Sequence, residues 1–232
     1  MTLECKNTNS VLFLIFGCSQ KPLNEYNVTK LILDDITNTY SKKFSNETPN
    51  GIVYQLIGGS KYILGEVKDG KVSGLWTKWF ENGQKESEET FKDGKRDGLG
   101  TWWYENGQKK SEGKFEDDKK DGLWKDYYEN GQLQEEGHYK EGKYEGLWRR
   151  YFDNGILSIK GNYKDDKQDG FWKSYYDNGQ LYLDRIYKDG KLEGLWKSYY
   201  DNGQLKYEWN YKEGELISQK CWDEDGNEKE CE

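Results

Sequence analysis

Apolar side chains in this sequence come in short aromatic-rich runs separated by polar, glycine-containing punctuation, and the punctuation keeps a fixed beat. Gly74, Gly98, Gly122, Gly146, Gly170 and Gly194 stand 24 residues apart. Asn82, Asn106, Asn130, Asn154, Asn178 and Asn202 hold the same spacing, as do Phe91, Phe115, Tyr139, Tyr163, Tyr187 and Tyr211. A fixed period makes each copy one supersecondary unit stacked on its neighbours. The strict register predicts continuous pairing between units rather than beads on a string.

One copy, GLWKDYYENGQLQEEGHYKEG from Gly122 to Gly142, reads as a hairpin. Asn130-Gly131 lies between aromatic-rich runs, and a type I′ turn asks for positive φ at both central residues, which Asn and Gly adopt cheaply. With those two residues as the loop, Glu129 faces Gln132 and Lys125 lies opposite Glu136. The same rule sets Lys173 opposite Asp184 and Lys197 opposite Glu208, predicting three cross-strand ion pairs. Arg149 opposite Lys160 breaks the rule. A three-residue loop with a bulge would shift the pairing, so the charge match favours the tight turn.

This register places Trp124, Tyr128, Leu133, Gly137 and Tyr139 on one side. Trp124 then faces Gly137, where the missing side chain leaves room for an indole, and Trp148 faces Gly161 in the same way. Trp172 meets Arg185, a cation–π pairing, and Trp196 meets Trp209. In the second copy Gly100 takes the tryptophan position, and Trp102 on the same face compensates.

Segments such as KEGKYEG and KDGKLEG join successive hairpins with turn chemistry. Two strands per copy at ~4.8 Å each give an advance of roughly 10 Å, and a ribbon on the order of 60 Å for six copies. The expected fold is all-β: an elongated single-layer antiparallel β-meander of hairpin repeats over residues 51–226, with a tail at 227–232.

Composition sharpens this picture. Hydrophobic residues make up 33%, charged residues 34%, and mean hydropathy is -1.17, values that alone point toward disorder. Ten Trp, nineteen Tyr and eight Phe argue the other way, because large apolar faces with polar handles suit half-buried strands in a thin sheet. The net charge of -8 opposes a nucleic-acid or anionic-membrane surface, either of which needs a basic face.

The run GKRDGLGTWWYENGQ from Gly94, with its echoes GKYEGLWRRYFDNG and GKLEGLWKSYYDNGQ, resembles MORN repeats. The likeness is closer to the bacterial variant found in YwqK-like antitoxin proteins and repeat lipoproteins, and covers about residues 62 to 226. It implies β-hairpin repeats with binding or scaffolding roles. The antitoxin name is a family label that no residue here carries.

Residues 11–18, VLFLIFGC, form an apolar run closing on Gly-Cys. The run resembles a bacterial lipobox, which implies a signal over 1–18, lipidation of Cys18 and a lipid-anchored place in the cell envelope, at the outer membrane or cell surface. Its apolar stretch, Val11 to Phe16, is shorter than the ~7 to 15 residues of a signal core. The alternative is a buried N-terminal strand with an incidental cysteine, in a cytoplasmic protein. Residues 19–50 read as a tether and N-terminal cap, holding a capping strand or short helix. At the other end Cys221 and Cys231 flank a decayed turn and would form a disulfide in an oxidising compartment.

Catalytic chemistry finds little footing. The only histidine, His138, is replaced in other copies by Lys114, Asn162, Ile186 and Asn210, as expected of an exposed strand residue. Acidic turn residues such as Asp117 and Asp189 are interleaved with Lys119 and Lys191, which compete for the carboxylates and favour solvated turns over calcium sites. No phosphate-cradling loop and no kinase catalytic set is present. The expectation is a non-catalytic scaffold with no cofactor and no metal, engaging a protein partner or envelope component. Trp124, Trp148, Trp172 and Trp196 are its candidate aromatic binding surface, with the charged opposite face as the other candidate. The alternative is a choline- or glucan-binding repeat module that works through aromatic cages; an enzyme ranks last.

Overall fold

The computed structural model describes residues 23–34, 39–43 and 47–231. Antiparallel strands follow in chain order, each paired to the next, from Gly51–Ile57 and Ser60–Lys68 through Lys119–Tyr127, Leu133–Lys140, Lys143–Tyr151 and Leu157–Lys164 to Glu215–Trp222. The result is one open antiparallel meander built from hairpin repeats of 24 residues, as the periodicity predicts.

The pairing Lys125 to Glu136 and Trp124 to Gly137 occurs as expected, but the turn that sets it is of another kind. Gly131 N–H donates to Tyr128 O at 2.9 Å and Tyr128 N–H to Gln132 O at 2.9 Å, enclosing a three-residue loop. Gly131 has φ +83 whereas Asn130 does not enter the positive region. This is the type I turn with a left-handed glycine that three-residue hairpins use. Such a loop shifts the pairing by one residue, so Tyr127 faces Leu133. Gln134 then stands out as a bulge, and Asp126 faces Glu135 in the expected register. Two deviations cancel.

Asparagine recurs for a different reason than positive φ. Asn130 Oδ1 accepts from Gln132 N–H at 2.9 Å, closing its own turn, while Asn130 Nδ2 donates to Asp153 O of the next copy at 3.0 Å. Asn82 and Asn106 repeat both bonds. Tyrosine makes a second link of this kind: the hydroxyls of Tyr104, Tyr128 and Tyr176 donate to the backbone oxygens of Tyr127, Tyr151 and Tyr199 at 2.7, 2.8 and 2.8 Å.

The type I′ turns lie between hairpins. Glu141 and Gly142 have φ 51 and 86, and Lys140 pairs with Lys143 across them. In four copies the acidic residue before the repeat glycine serves the turn of the same copy, as where Glu193 Oε2 accepts from Glu213 N–H at 2.8 Å and Glu145 Oε2 from Asp165 N–H at 3.1 Å. The repeat glycine itself is conformational. At Gly122 φ is +77 and nothing would meet an added Cβ within 4 Å, while the register against the preceding strand jumps between Asp121 and Lys125.

A two-layered core exists at the N-terminal end. Where a tether with a capping strand or short helix is expected, the described residues hold the strands Asn24–Asn27, Leu31–Asp34 and Thr39–Lys42 and a 3₁₀ turn at Val28–Lys30. Asn24–Asn27 pairs in parallel with Gly51–Ile57. Leu31 and Tyr40 pack with Val53, Val67 and Val72, and Tyr40 stacks on Trp76 at 5.6 Å. The parallel pairing of Asn24–Asn27 covers the edge of Gly51–Ile57, which would otherwise be open. At the far end Cys221 and Cys231 are joined, with Cα atoms 5.4 Å apart, holding the segment around Glu228–Lys229 against the last long strand.

Candidate functional site

The two faces of the sheet differ in what they leave open. On the tryptophan face Trp124 is 3% exposed, Trp148 8% and Trp172 2%, and Trp196 is half-buried. Each buried indole lies across a glycine of the hairpin before its own: Trp124 over Gly113, Trp148 over Gly137, Trp172 over Gly161. The register of its own hairpin sets Trp124 opposite Gly137, but the ring leans the other way. Edge-on contacts with the aromatic row lock it there, Phe115 to Trp124 at 4.9 Å and Tyr163 to Trp172 at 5.0 Å. The indole N–H groups are satisfied internally, Trp124 and Trp172 by the backbone oxygens of Lys114 and Asn162, each at 3.0 Å, and Trp148 by Glu135 Oε1 at 2.7 Å.

These indoles are therefore internal packing, and the aromatic binding surface expected at Trp124, Trp148 and Trp172 is not open. Trp102 covers Gly100 and stacks on Trp124 at 5.8 Å, filling the gap in the second copy. Arg185 makes no cation–π pair with Trp172; its guanidinium lies over Tyr187 at 5.9 Å and its Nη2 donates to Ser174 Oγ at 2.9 Å. Trp196 stacks on Trp209 at 4.6 Å.

The opposite face carries an apolar row that the sequence reading passed over. Leu75, Leu99, Leu123, Leu147, Phe171 and Leu195 are exposed, from 37% at Leu147 to 70% at Leu99. Each directly follows a repeat glycine, so the row keeps the same beat at roughly 10 Å per copy. That signal was present in the sequence: a position apolar in every copy, next to the tryptophan and therefore on the other side of the strand. Leu157, the counterpart of Leu133, lines a cavity with Leu147 and Phe171, so the Gln134-type bulge moves this leucine off the tryptophan face.

Beside the apolar row runs a charged one, a residue per strand. Glu112, Lys125, Glu136, Arg149, Lys160, Lys173, Asp184, Lys197 and Glu208 face one another in succession. Arg149 Nη1 meets Glu136 Oε1 at 2.7 Å, Lys173 meets Asp184 at 3.0 Å and Lys197 meets Glu208 at 3.1 Å. The hydrogen bond from Lys173 to Asp184 holds the Lys173 ammonium above its ordinary value. Glu136 thus pairs with the next copy's Arg149 rather than with Lys125. The alternation fails once, at Lys160. Around it Arg149, Lys160, Lys173, Leu147, Leu157 and Phe171 line an open cavity of about 340 Å³.

The MORN repeat variant family matches residues 73–93, 96–117, 120–141, 144–165, 168–189 and 192–213, more than half of the chain. The chain belongs to the MORN repeat variant family. No curated protein matches it. MORN repeats are generally non-enzymatic binding modules, and in these MORN units the leucine face is the one whose repeating apolar row is exposed.

The remaining candidate residues fit this division. His138 is exposed on the leucine face and lines an open hollow of about 580 Å³ with Leu147, Asp121 and Glu145. Both carboxylates accept N–H groups of the MORN turns, Asp121 from Glu141 and Glu145 from Asp165. Among the described residues no group of three or more His, Cys, Asp or Glu is placed to hold a metal ion. Cys18 and its lipobox-like run lie outside the described residues.

Proposed function

We propose that this MORN protein is a non-catalytic scaffold that docks a protein partner on its leucine face and works at the cell envelope. The observation that carries the reading is the exposed row from Leu75 to Leu195, one apolar side chain per copy beside a ladder of charges. Apolar groups exposed at a fixed spacing and rimmed by polar residues suit a partner-binding face. A partner with apolar groups at a similar spacing would meet several copies at once.

The envelope part rests on VLFLIFGC and its resemblance to a lipobox, and the closer kinship with YwqK-like antitoxin proteins and repeat lipoproteins belongs to the same proposal. A choline- or glucan-binding module needs open indoles for its cages, and buried Trp124, Trp148 and Trp172 leave that alternative without support. A catalytic reading needs a nucleophile or carboxylate held by His138, and the carboxylates near it are engaged by turns.

The test is a photo-cross-linker placed at Leu123 in cells, compared with a Leu75→Ser, Leu99→Ser, Leu195→Ser triple variant. A specific protein adduct in the parent chain, lost in the triple variant at unchanged thermal stability, is expected. An adduct that survives the triple change ends the leucine-face reading. Incorporation of an alkyne fatty acid, abolished by Cys18→Ser, is expected for the anchor, and no incorporation removes it.

A further inference from the structure

The charge ladder on the leucine face is broken at one position, and the break coincides with the cavity. Positions equivalent to Lys160 hold Glu88, Glu112, Glu136, Asp184 and Glu208, each facing lysine, arginine or threonine. At Lys160 the pattern inverts: Arg149 faces it from one side and Lys173 from the other. Like charges directly opposite across strands are unfavourable. Arg149 and Lys173 find Glu136 and Asp184 on their outer sides. Lys160 is half-buried and makes no ion pair among the described residues, its one charge contact being the Tyr175 ring at 5.8 Å. A local conflict without internal compensation is where a fold gives way to function.

We propose that Arg149, Lys160 and Lys173 form a carboxylate anchor for the docked partner, which presents an acidic segment with aliphatic or aromatic side chains that settle on Leu147 and Phe171. This inference rests on the docking function proposed above and names the chemistry of its occupant. Charge decides the class. Glu136 and Asp184 bound the triplet, so the five groups together hold an excess of about one positive charge, which one carboxylate neutralises. Phosphate groups on a lipid or nucleic-acid surface bring more negative charge up to those two acids than a single carboxylate does. The cavity, at about 340 Å³, suits one or two side chains rather than a headgroup array.

The test uses the full chain, a short fluorescein-labelled peptide rich in glutamate, leucine and phenylalanine, its glutamine-for-glutamate counterpart, and vesicles containing phosphatidylglycerol. Saturable binding of the glutamate peptide is expected, weakened on the order of tenfold by the glutamine replacement and by Lys160→Glu. Lys160→Glu restores the alternating ladder, so its melting temperature stays level or rises and loss of binding is not loss of fold. Phe171→Ser weakens both peptides. No saturable peptide binding, equal binding by Lys160→Glu, or binding to vesicles alone overturns the proposal. If Lys160→Glu keeps the cellular adduct that the triple leucine variant loses, the carboxylate anchor fails and the docking face stands; if both variants keep it, both fail.

Discussion

Gly137 lies beneath the indole of Trp148, and a methyl group added there would stand 2.7 Å from Cδ1, closer than real Cβ contacts come. The glycine belongs to one hairpin and the tryptophan to the next, so this pair is a joint between copies. Gly137→Ala is expected to destabilise by about 1–3 kcal/mol through overpacking. In a Trp148→Ala background the same change becomes nearly neutral, because its cost is the collision. Urea unfolding of the four proteins checks this. Equal effects of Gly137→Ala in both backgrounds would show that the indole is irrelevant to the glycine.

Asn130 offers a test of what its position needs. Were positive φ the requirement, glycine would serve at least as well. Its side chain instead closes its own turn onto Gln132 and reaches Asp153 in the next copy. Asn130→Gly is expected to cost about 1–2 kcal/mol, and Asn130→Asp, which keeps the acceptor and loses the donor, about 0.5–1.5 kcal/mol. Hydrogen exchange should show the added opening at the turns around Asn130 and Asn154. A neutral Asn130→Gly would restore the positive-φ account.

The meander and much of its register were legible because period and charge pairing are local, repeated signals. The turn was misread because the extra loop residue and the bulge at Gln134 cancel beyond Asp126, so the pairing of Lys125 with Glu136 could not distinguish them. The indoles were legible as packing residues but their direction was not: pairing puts Trp124 between Gly113 and Gly137, and Phe115 decides between them. The N-terminal core was illegible because Leu31 and Tyr40 reach Val53 and Val67 through contacts that follow no period. The leucine row was visible but outweighed by the larger aromatic residues beside it.

The tyrosine links between copies are uneven, which allows a gain as well as a loss. Tyr128 donates to Tyr151 O at 2.8 Å, and Tyr128→Phe is expected to cost about 0.5–1.5 kcal/mol. Phe152 occupies the same place one copy on, where no hydroxyl is available. Phe152→Tyr should supply the missing bond to the backbone near Tyr175 and raise stability by about 0.5–1 kcal/mol. Thermal unfolding of the two single variants checks both signs. A Phe152→Tyr variant less stable than its parent would mean that this copy is too tightly closed to admit the hydroxyl.

Glu89 marks a copy in which large and small positions are exchanged. It stands where Gly65, Gly113, Gly137 and Gly161 stand elsewhere, and it faces Gly100, which holds the tryptophan place. Glu89 is buried, with Ser87 Oγ donating to it at 3.5 Å. Burial lifts its carboxyl above the usual value and outweighs the pull of Lys78 and Arg96. The folded chain therefore binds more protons than the unfolded chain between the ordinary and the raised value, and stability falls as pH rises through that window. Above it the ionised group carries its full burial penalty. Glu89→Gln keeps the shape and removes the charge, so its melting temperature should exceed the parent's by a few degrees at about pH 8. The gap should close as pH falls to about 3, where both folded and unfolded carboxyls are protonated. A gap that stays constant with pH, or a Glu89→Gln variant less stable at about pH 8, would mean that the carboxylate is held by interactions stronger than its burial.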